Sequence, residues 1–209
     1  MEDVLELYAE PHDPRRPVVC FDEAGMELRG DVTPPVPPAP GVPGKEDYEY
    51  TRHGTANLFV VVEPLAGTRQ VTVTDRRTAA DFATQMKALC DDLYPQADVI
   101  RVVLDNLSTH AYGSLFAAFG PDEAWRRRRK LEFHHTPKHA SWLNMAECEL
   151  SVLAGQCLDR RIPTREELAA EVTAWVATRN AAGAKINWTF RVADGRKMLA
   201  HLYPQTPQR

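Results

Sequence analysis

Two short apolar runs, each closed by an aspartate, constrain this chain most. Val18-Val19-Cys20-Phe21 leads directly into Asp22, and Val99-Ile100-Arg101-Val102-Val103-Leu104 leads into Asp105. Runs this short and this rich in β-branched residues suit strands buried on both faces, in a sheet covered by helices. Residues at the carboxyl ends of such strands stand where open α/β sheets usually form their sites. A third carboxylate, Glu147, lies in Ser141-Trp142-Leu143-Asn144-Met145-Ala146-Glu147, which opens a helix-like stretch. Two aspartates at strand tips and a glutamate early on a later helix can converge on one spot. Carboxylates gathered that way repel one another unless divalent cations neutralise them. A two-metal centre for cutting and joining phosphodiesters is the leading reading.

Composition permits this without selecting it. The 209 residues suffice for one domain with a substantial core. No apolar stretch approaches the roughly 20 residues a membrane helix needs. The acidic start, Met1-Glu2-Asp3-Val4-Leu5-Glu6, lacks the basic-then-apolar pattern of a secretory signal, so a cytoplasmic location is expected, at the nucleoid when bound to DNA. Cys20, Cys90, Cys148 and Cys157 are scattered through apolar-periodic segments and read as reduced, mostly buried thiols. The net charge of −4 is unusual for a self-sufficient DNA-binding protein, so nucleic-acid affinity has to be local or supplied by another part.

Residues 1–10 read as the end of a helix, broken by Pro11, Pro14 and Pro17. A short strand spans Val18 to Asp22, and the proline- and glycine-dense run from Thr33 to Gly44 reads as an extended surface loop. Strands follow at Asn57 to Glu63 and Gln70 to Thr74, then a helix from Ala79 to Leu93, a central strand from Val99 to Leu104 and a short helix around Leu115 to Phe119. Leu131 to His134 is the last strand. Ser141 is placed as the cap of a helix to about Leu158, and Thr164 with Glu167 as a capping box for a helix to about Arg179. A final helix runs from about Val192 to Leu202. The expected architecture is α/β, a mixed sheet of about five strands flanked by helices.

The three blocks around these carboxylates resemble a known family. Phe21-Asp22-Glu23, Leu104-Asp105-Asn106-Leu107-Ser108-Thr109-His110 and His135-Thr136-Pro137-Lys138-His139-Ala140-Ser141-Trp142-Leu143-Asn144-Met145-Ala146-Glu147 are similar to the blocks of DDE-type transposases. More narrowly they look like the bacterial insertion sequence 630 family of the mariner superfamily, and the likeness covers nearly the whole chain. It implies a ribonuclease-H-like fold, two magnesium ions with manganese as substitute, and cut-and-paste transfer of DNA into TA dinucleotides. Carried over by position, the metal ligands fall on Asp22, Asp105 and Glu147, with Asp22 bridging. The implied partners are double-stranded DNA, at element ends and target, and a second copy of the chain.

Neighbouring residues leave alternatives open. Glu23 should project to the face opposite Asp22. Glu149 lies about 200° round a helix from Glu147, and only the family block favours Glu147. Asn106 and His110 serve either as turn and cap residues or near a scissile phosphate, and Lys138, His139 and Asn144 stand in the same block as possible DNA contacts. Trp142 is either core or a stacking platform for a base. The run Arg126-Arg127-Arg128-Arg129 is either a solvated face or a phosphate contact. His134, His135 and His139 lack the spacing of a zinc site.

Family members carry an upstream helix-turn-helix region, and nothing before Val18 has room for one. The chain therefore divides into residues 1–16 as a linker or the end of that region, 17–182 as the catalytic domain and 183–209 as a helical extension. A separately encoded helix-turn-helix partner would supply recognition. The alternatives are an inactive remnant that dimerises with or inhibits a full-length transposase, and a nuclease that cuts without joining.

Overall fold

The computed structural model describes residues 1–200. Its centre is one five-stranded sheet built from β1 (Val18–Asp31), β2 (Tyr50–Glu63), β3 (Thr68–Thr74), β4 (Ile100–Leu104) and β5 (Leu131–His135), in the order β3-β2-β1-β4-β5. β1, β2 and β3 form an antiparallel meander, and β4 and β5 add to it in parallel. The mixed five-stranded sheet expected from the sequence is therefore present.

Side-chain alternation assigns each face of the sheet its cover. Val19 and Phe21 of β1, Phe59 and Val61 of β2, and Ile100, Val102 and Leu104 of β4 pack against α2 (Ala79–Ala88) and α3 (Tyr112–Ala118) through Phe82, Met86 and Leu115. Cys20, Val62 and Val103 point to the other face, onto α1 (Glu2–Ala9) and the start of α5 (Met145–Leu153). Farther along that face, Leu28 and Leu58 meet Leu153 and α6 (Arg165–Ala181). Each β1 side chain is thereby committed to one layer, so Asp22 faces the α5 side and Glu23 the α2 side.

Several expectations are corrected. The first strand does not stop at Asp22 but continues to Asp31, because β2 begins at Tyr50 and pairs with it down to that end. Those added residues set Ala24, Met26 and Leu28 singly between polar and glycine positions, with no apolar run to reveal them. Arg126 to Lys130 belong to a helix, α4 (Pro121–Lys130), with proline in its first turn, Asp122 and Glu123 behind it, and four cations in its last turn. That charge order complements the helix dipole. The helix bearing Glu147 is capped by Asn144, not Ser141, which opens a single 3-10 turn. Thr164 caps α6, its hydroxyl accepting from Glu167 N–H at 3.1 Å, but the expected capping box is only half formed, because the Glu167 side chain does not return to Thr164 N–H.

Residues 1–10 are more than a tether. Val4, Leu5, Leu7 and Tyr8 are buried in the core, and the Tyr8 hydroxyl donates to Leu143 O at 2.8 Å. The last described helix is α7 (Val192–Met198), and the expected continuation toward Leu202 runs into positions outside the described residues. Among the described residues no helix is long and apolar enough to cross a membrane.

Candidate active site

The parallel pairing of β1 with β4 matches Val18 with Arg101, Val19 with Val102 and Cys20 with Val103, and stops there. Continued two residues further, that register sets Asp22 opposite Asp105. The ladder ends short of the two acids, and α5 packs on β1 and β2 beside Asp22. Asp22 is 8% exposed, and burial together with the charges of Glu147 and Asp105 raises its pKa to about 6. The trio singled out in the sequence is thus electrostatically coupled through Asp22. Glu147 is exposed in the first turn of α5.

Each aspartate has its own support. Asp22 Oδ1 accepts from Glu23 N–H at 2.8 Å, and Oδ2 accepts from the Asn144 amide at 3.2 Å. Asp105 Oδ1 meets His110 Nδ1 at 2.5 Å and accepts from Leu107 N–H at 3.2 Å. Burial disfavours a charged Asp105, but the contact with His110 outweighs it and holds the carboxyl below its ordinary range. His110 is enclosed by the rings of Phe21 and Phe82, with Nε2 3.5 Å from Glu23 Oε2, an ionic neighbour rather than a formed hydrogen bond. Burial works against the imidazolium, yet the two acids raise its pKa to about 9. His110 is therefore a buried cation joining Asp105 to Glu23, not a DNA-facing group. Glu23 does project opposite Asp22, as its strand position required, and its partner on that face comes from a distant segment, beyond what local sequence shows.

The remaining site candidates divide by accessibility. Asn144 is fully buried, and its amide also donates to Phe21 O at 2.8 Å, so it cannot reach DNA as placed. Asn106 is exposed and ties the loop after β4 to Thr136 O. Lys138 and His139 are exposed on the loop before α5, with His139 at a left-handed φ of 62°. Trp142 is 45% exposed and packs on Trp188 and Phe190, half platform and half core. In α4, Arg127 is buried, and both it and Arg126 pair with Asp91 and Glu123. Arg128 covers the Tyr112 ring at 3.6 Å, and Arg129 is exposed.

An all-carboxylate donor set suits hard divalent cations that take oxygen ligands. Among the described residues no three acids, histidines or cysteines yet stand close enough together to hold an ion as placed. The donor chemistry still fits magnesium or manganese, since all three candidates are carboxylates and the bonds to Asp22, from Glu23 N–H and the Asn144 amide, leave each of its oxygens a further lone pair.

A mixed sheet in this order, with acids just past the end of its β1–β4 ladder, defines a ribonuclease-H-like domain. Solved structures bear out the fold. The structure matches a Mos1 mariner paired-end complex with Mn at a TM-score of 0.57 and 17% identity, over 88% of this chain and 55% of that one. It matches the Mos1 strand transfer complex at 0.58 and 15%, over 90% and 60%. A simian T-cell lymphotropic virus intasome matches at 0.50 and 14%, over 95% and 59%. The chain thus spans 55–60% of the length of these structural relatives. The sequence profile described as DDE superfamily endonuclease matches residues 17–169, and the chain belongs to that family. No curated protein matches the sequence.

Proposed function

We propose that this chain is the catalytic domain of a DNA transposase of the insertion sequence 630 type, which cuts element ends and joins the released 3′ hydroxyls to target DNA at TA. The observation that carries the reading is the coupling of Asp22, Asp105 and Glu147, drawn from a strand, a strand end and a helix start. Its support from relatives is the family match and a fold shared with Mos1 complexes titled as paired-end and strand transfer assemblies.

Asp22, Asp105 and Glu147 would hold two magnesium or manganese ions, which supply an activated water and a stabilised leaving oxygen for in-line displacement. The chain's own residues prepare that site. Above a pH of about 6 Asp22 is ionised, and the His110 contact keeps Asp105 ionised throughout the neutral range. Exposed Lys138 and His139, on the loop that follows β5 at the Asp105 end of the sheet, offer phosphate contacts, while exposed Arg129 stands at the opposite end of β5 and would meet DNA only away from the three acids. The net charge of −4 argues that recognition of element ends comes from elsewhere, a helix-turn-helix region in the same or a separate chain, with a second copy completing the complex.

The test is a labelled DNA duplex with an element end, incubated with the protein, a target plasmid and Mn²⁺. Metal-dependent nicks and joined products, both lost in Asp22→Asn, are expected. Nicks without joined products would reduce the chain to a nuclease, and neither product with the recognition partner supplied would remove the reading.

A further inference from the structure

Asn144 makes more contacts than a helix cap requires. Its Oδ1 accepts from Ala146 N–H at 3.2 Å, which is the capping bond, and its backbone carbonyl accepts from Glu147 N–H at 3.1 Å. Serine, threonine or aspartate could provide the same cap. An aspartate adds no donor and a hydroxyl adds one, on the same oxygen that caps, whereas the amide adds two N–H donors on a separate atom. Those donors go to β1, to Phe21 O at 2.8 Å and to Asp22 Oδ2 at 3.2 Å. The side chain is fully buried.

The consequences fall on Asp22. With Glu23 N–H on Oδ1 and the Asn144 amide on Oδ2, both carboxylate oxygens are pinned and the plane of the group is fixed. Each oxygen keeps a second lone pair. A donor suits this place, because Asp22 is buried and Glu147 stands on the helix that Asn144 caps. An acidic cap would add a third carboxylate.

We infer that Asn144 is a positioning residue, which ties the Asp22 carboxylate to the first turn of the helix carrying Glu147 and so fixes two of the three acids relative to each other. The inference rests on the reading of Asp22 and Glu147 as metal-holding carboxylates. It is distinct from capping, which uses only the oxygen of the amide.

The experiment measures Mn²⁺ binding, by the electron paramagnetic resonance signal of the free ion, for wild type, Asn144→Ser, Asn144→Asp and Asp22→Asn. Circular dichroism and urea unfolding of the metal-free proteins run alongside. Both Asn144 variants keep a capping oxygen and are expected to fold. They should bind Mn²⁺ at least about tenfold more weakly, the usual scale for removing a group that orients a metal ligand. Raised Mn²⁺ should restore nicking to Asn144→Ser but not to Asp22→Asn. Unchanged Mn²⁺ affinity in both folded Asn144 variants, with Asp22→Asn impaired, would leave Asn144 a mere cap and overturn the inference. So would unfolding of both, which would make it a stability residue. Unchanged affinity in Asp22→Asn itself would instead remove the metal reading beneath it.

Discussion

Glu149 Oε1 stands 2.8 Å from Arg69 Nε in an ion pair that solvent does not reach, and Arg179 Nε meets the same oxygen at 2.8 Å. Glu147, two residues earlier, is exposed on the site side of the same helix. Glu149 therefore fastens α5 to β3 and α6 and sets its rotation. Removing one partner of a buried pair leaves an uncompensated charge and costs about 3–5 kcal/mol. Glu149→Ala should lower unfolding free energy by that amount in urea titrations, while the folded fraction still binds Mn²⁺. Loss of Mn²⁺ binding with unchanged stability would mean that the two glutamates have exchanged roles.

Glu147 should behave in the opposite way. Glu147→Gln removes an exposed charge that raises the pKa of Asp22, so the metal-free protein should be as stable as wild type or slightly more so. In wild type, a metal at a hundred times its dissociation constant adds about 2.7 kcal/mol to folding stability. That increment should vanish in Glu147→Gln, along with strand cleavage. Equal metal-induced shifts in melting temperature for both proteins would falsify the placement of Glu147 in the site.

The arginines of α4 should separate into two kinds. Arg127 is internal and paired, so Arg127→Ala should destabilise the fold and leave the salt dependence of DNA binding unchanged. Arg129 and Lys138 are exposed and free to neutralise phosphates. Replacing either with alanine should reduce the slope of log affinity against log salt by about 0.9, the share of one neutralised phosphate. Fluorescence anisotropy with a labelled duplex at several salt concentrations reads both effects. An altered slope for Arg127→Ala alone would reverse the division.

Acid should loosen the same corner. Burial opposes the charged form of Asp91, but the Arg126 and Arg127 guanidiniums outweigh it and hold its pKa below the ordinary value. A depressed carboxylate contributes stability above its unfolded pKa of about 4 and loses it as pH falls through the lower folded value. Asp91→Asn should therefore cost on the order of 1 kcal/mol at neutral pH and nothing once both forms are protonated. A stability difference that persists undiminished in strong acid would count against this pairing.

The thiols should react in a fixed order. Cys148 is exposed beside Glu147, whereas burial pushes Cys20 up to about 12 and Cys90 up to about 11. Alkylation at mildly alkaline pH, followed by peptide mass spectrometry, should mark Cys148 first and Cys20 and Cys90 only on unfolding. Early labelling of Cys20 would show that the α1 layer opens readily.

What could be read from the sequence followed the physics of each signal. The runs before Asp22 and Asp105 are buried on both faces, so their composition alone revealed strands. The blocks around the three acids were legible through family likeness. Glu23 to Asp31 were not, because that half of β1 is held by pairing with β2 and shows no apolar run. The helix of Arg126 to Lys130 was signalled by its charge order but was read as a mere run. The helix bearing Glu147 offered two polar residues before its start, and the tighter 3-10 turn at Ser141 left the cap to Asn144. His110 could not be found as the link between Asp105 and Glu23, since that contact exists only once distant segments meet. The thiols were misjudged at Cys148, which sits on the exposed side of α5 beside Glu147.

The pairing of β1 with β4 also has a kinetic consequence. β1, β2 and β3 form from neighbouring stretches of chain, but Cys20 must find Val103, and β5 must then add beside β4. Pairings between such distant stretches form slowly, because the intervening chain has to be ordered first. In refolding, the meander should gain protection from hydrogen exchange before Asp22 and Asp105 share a neighbourhood. A molecule arrested at that stage would hold most of its antiparallel hydrogen bonds and no centre able to act on DNA.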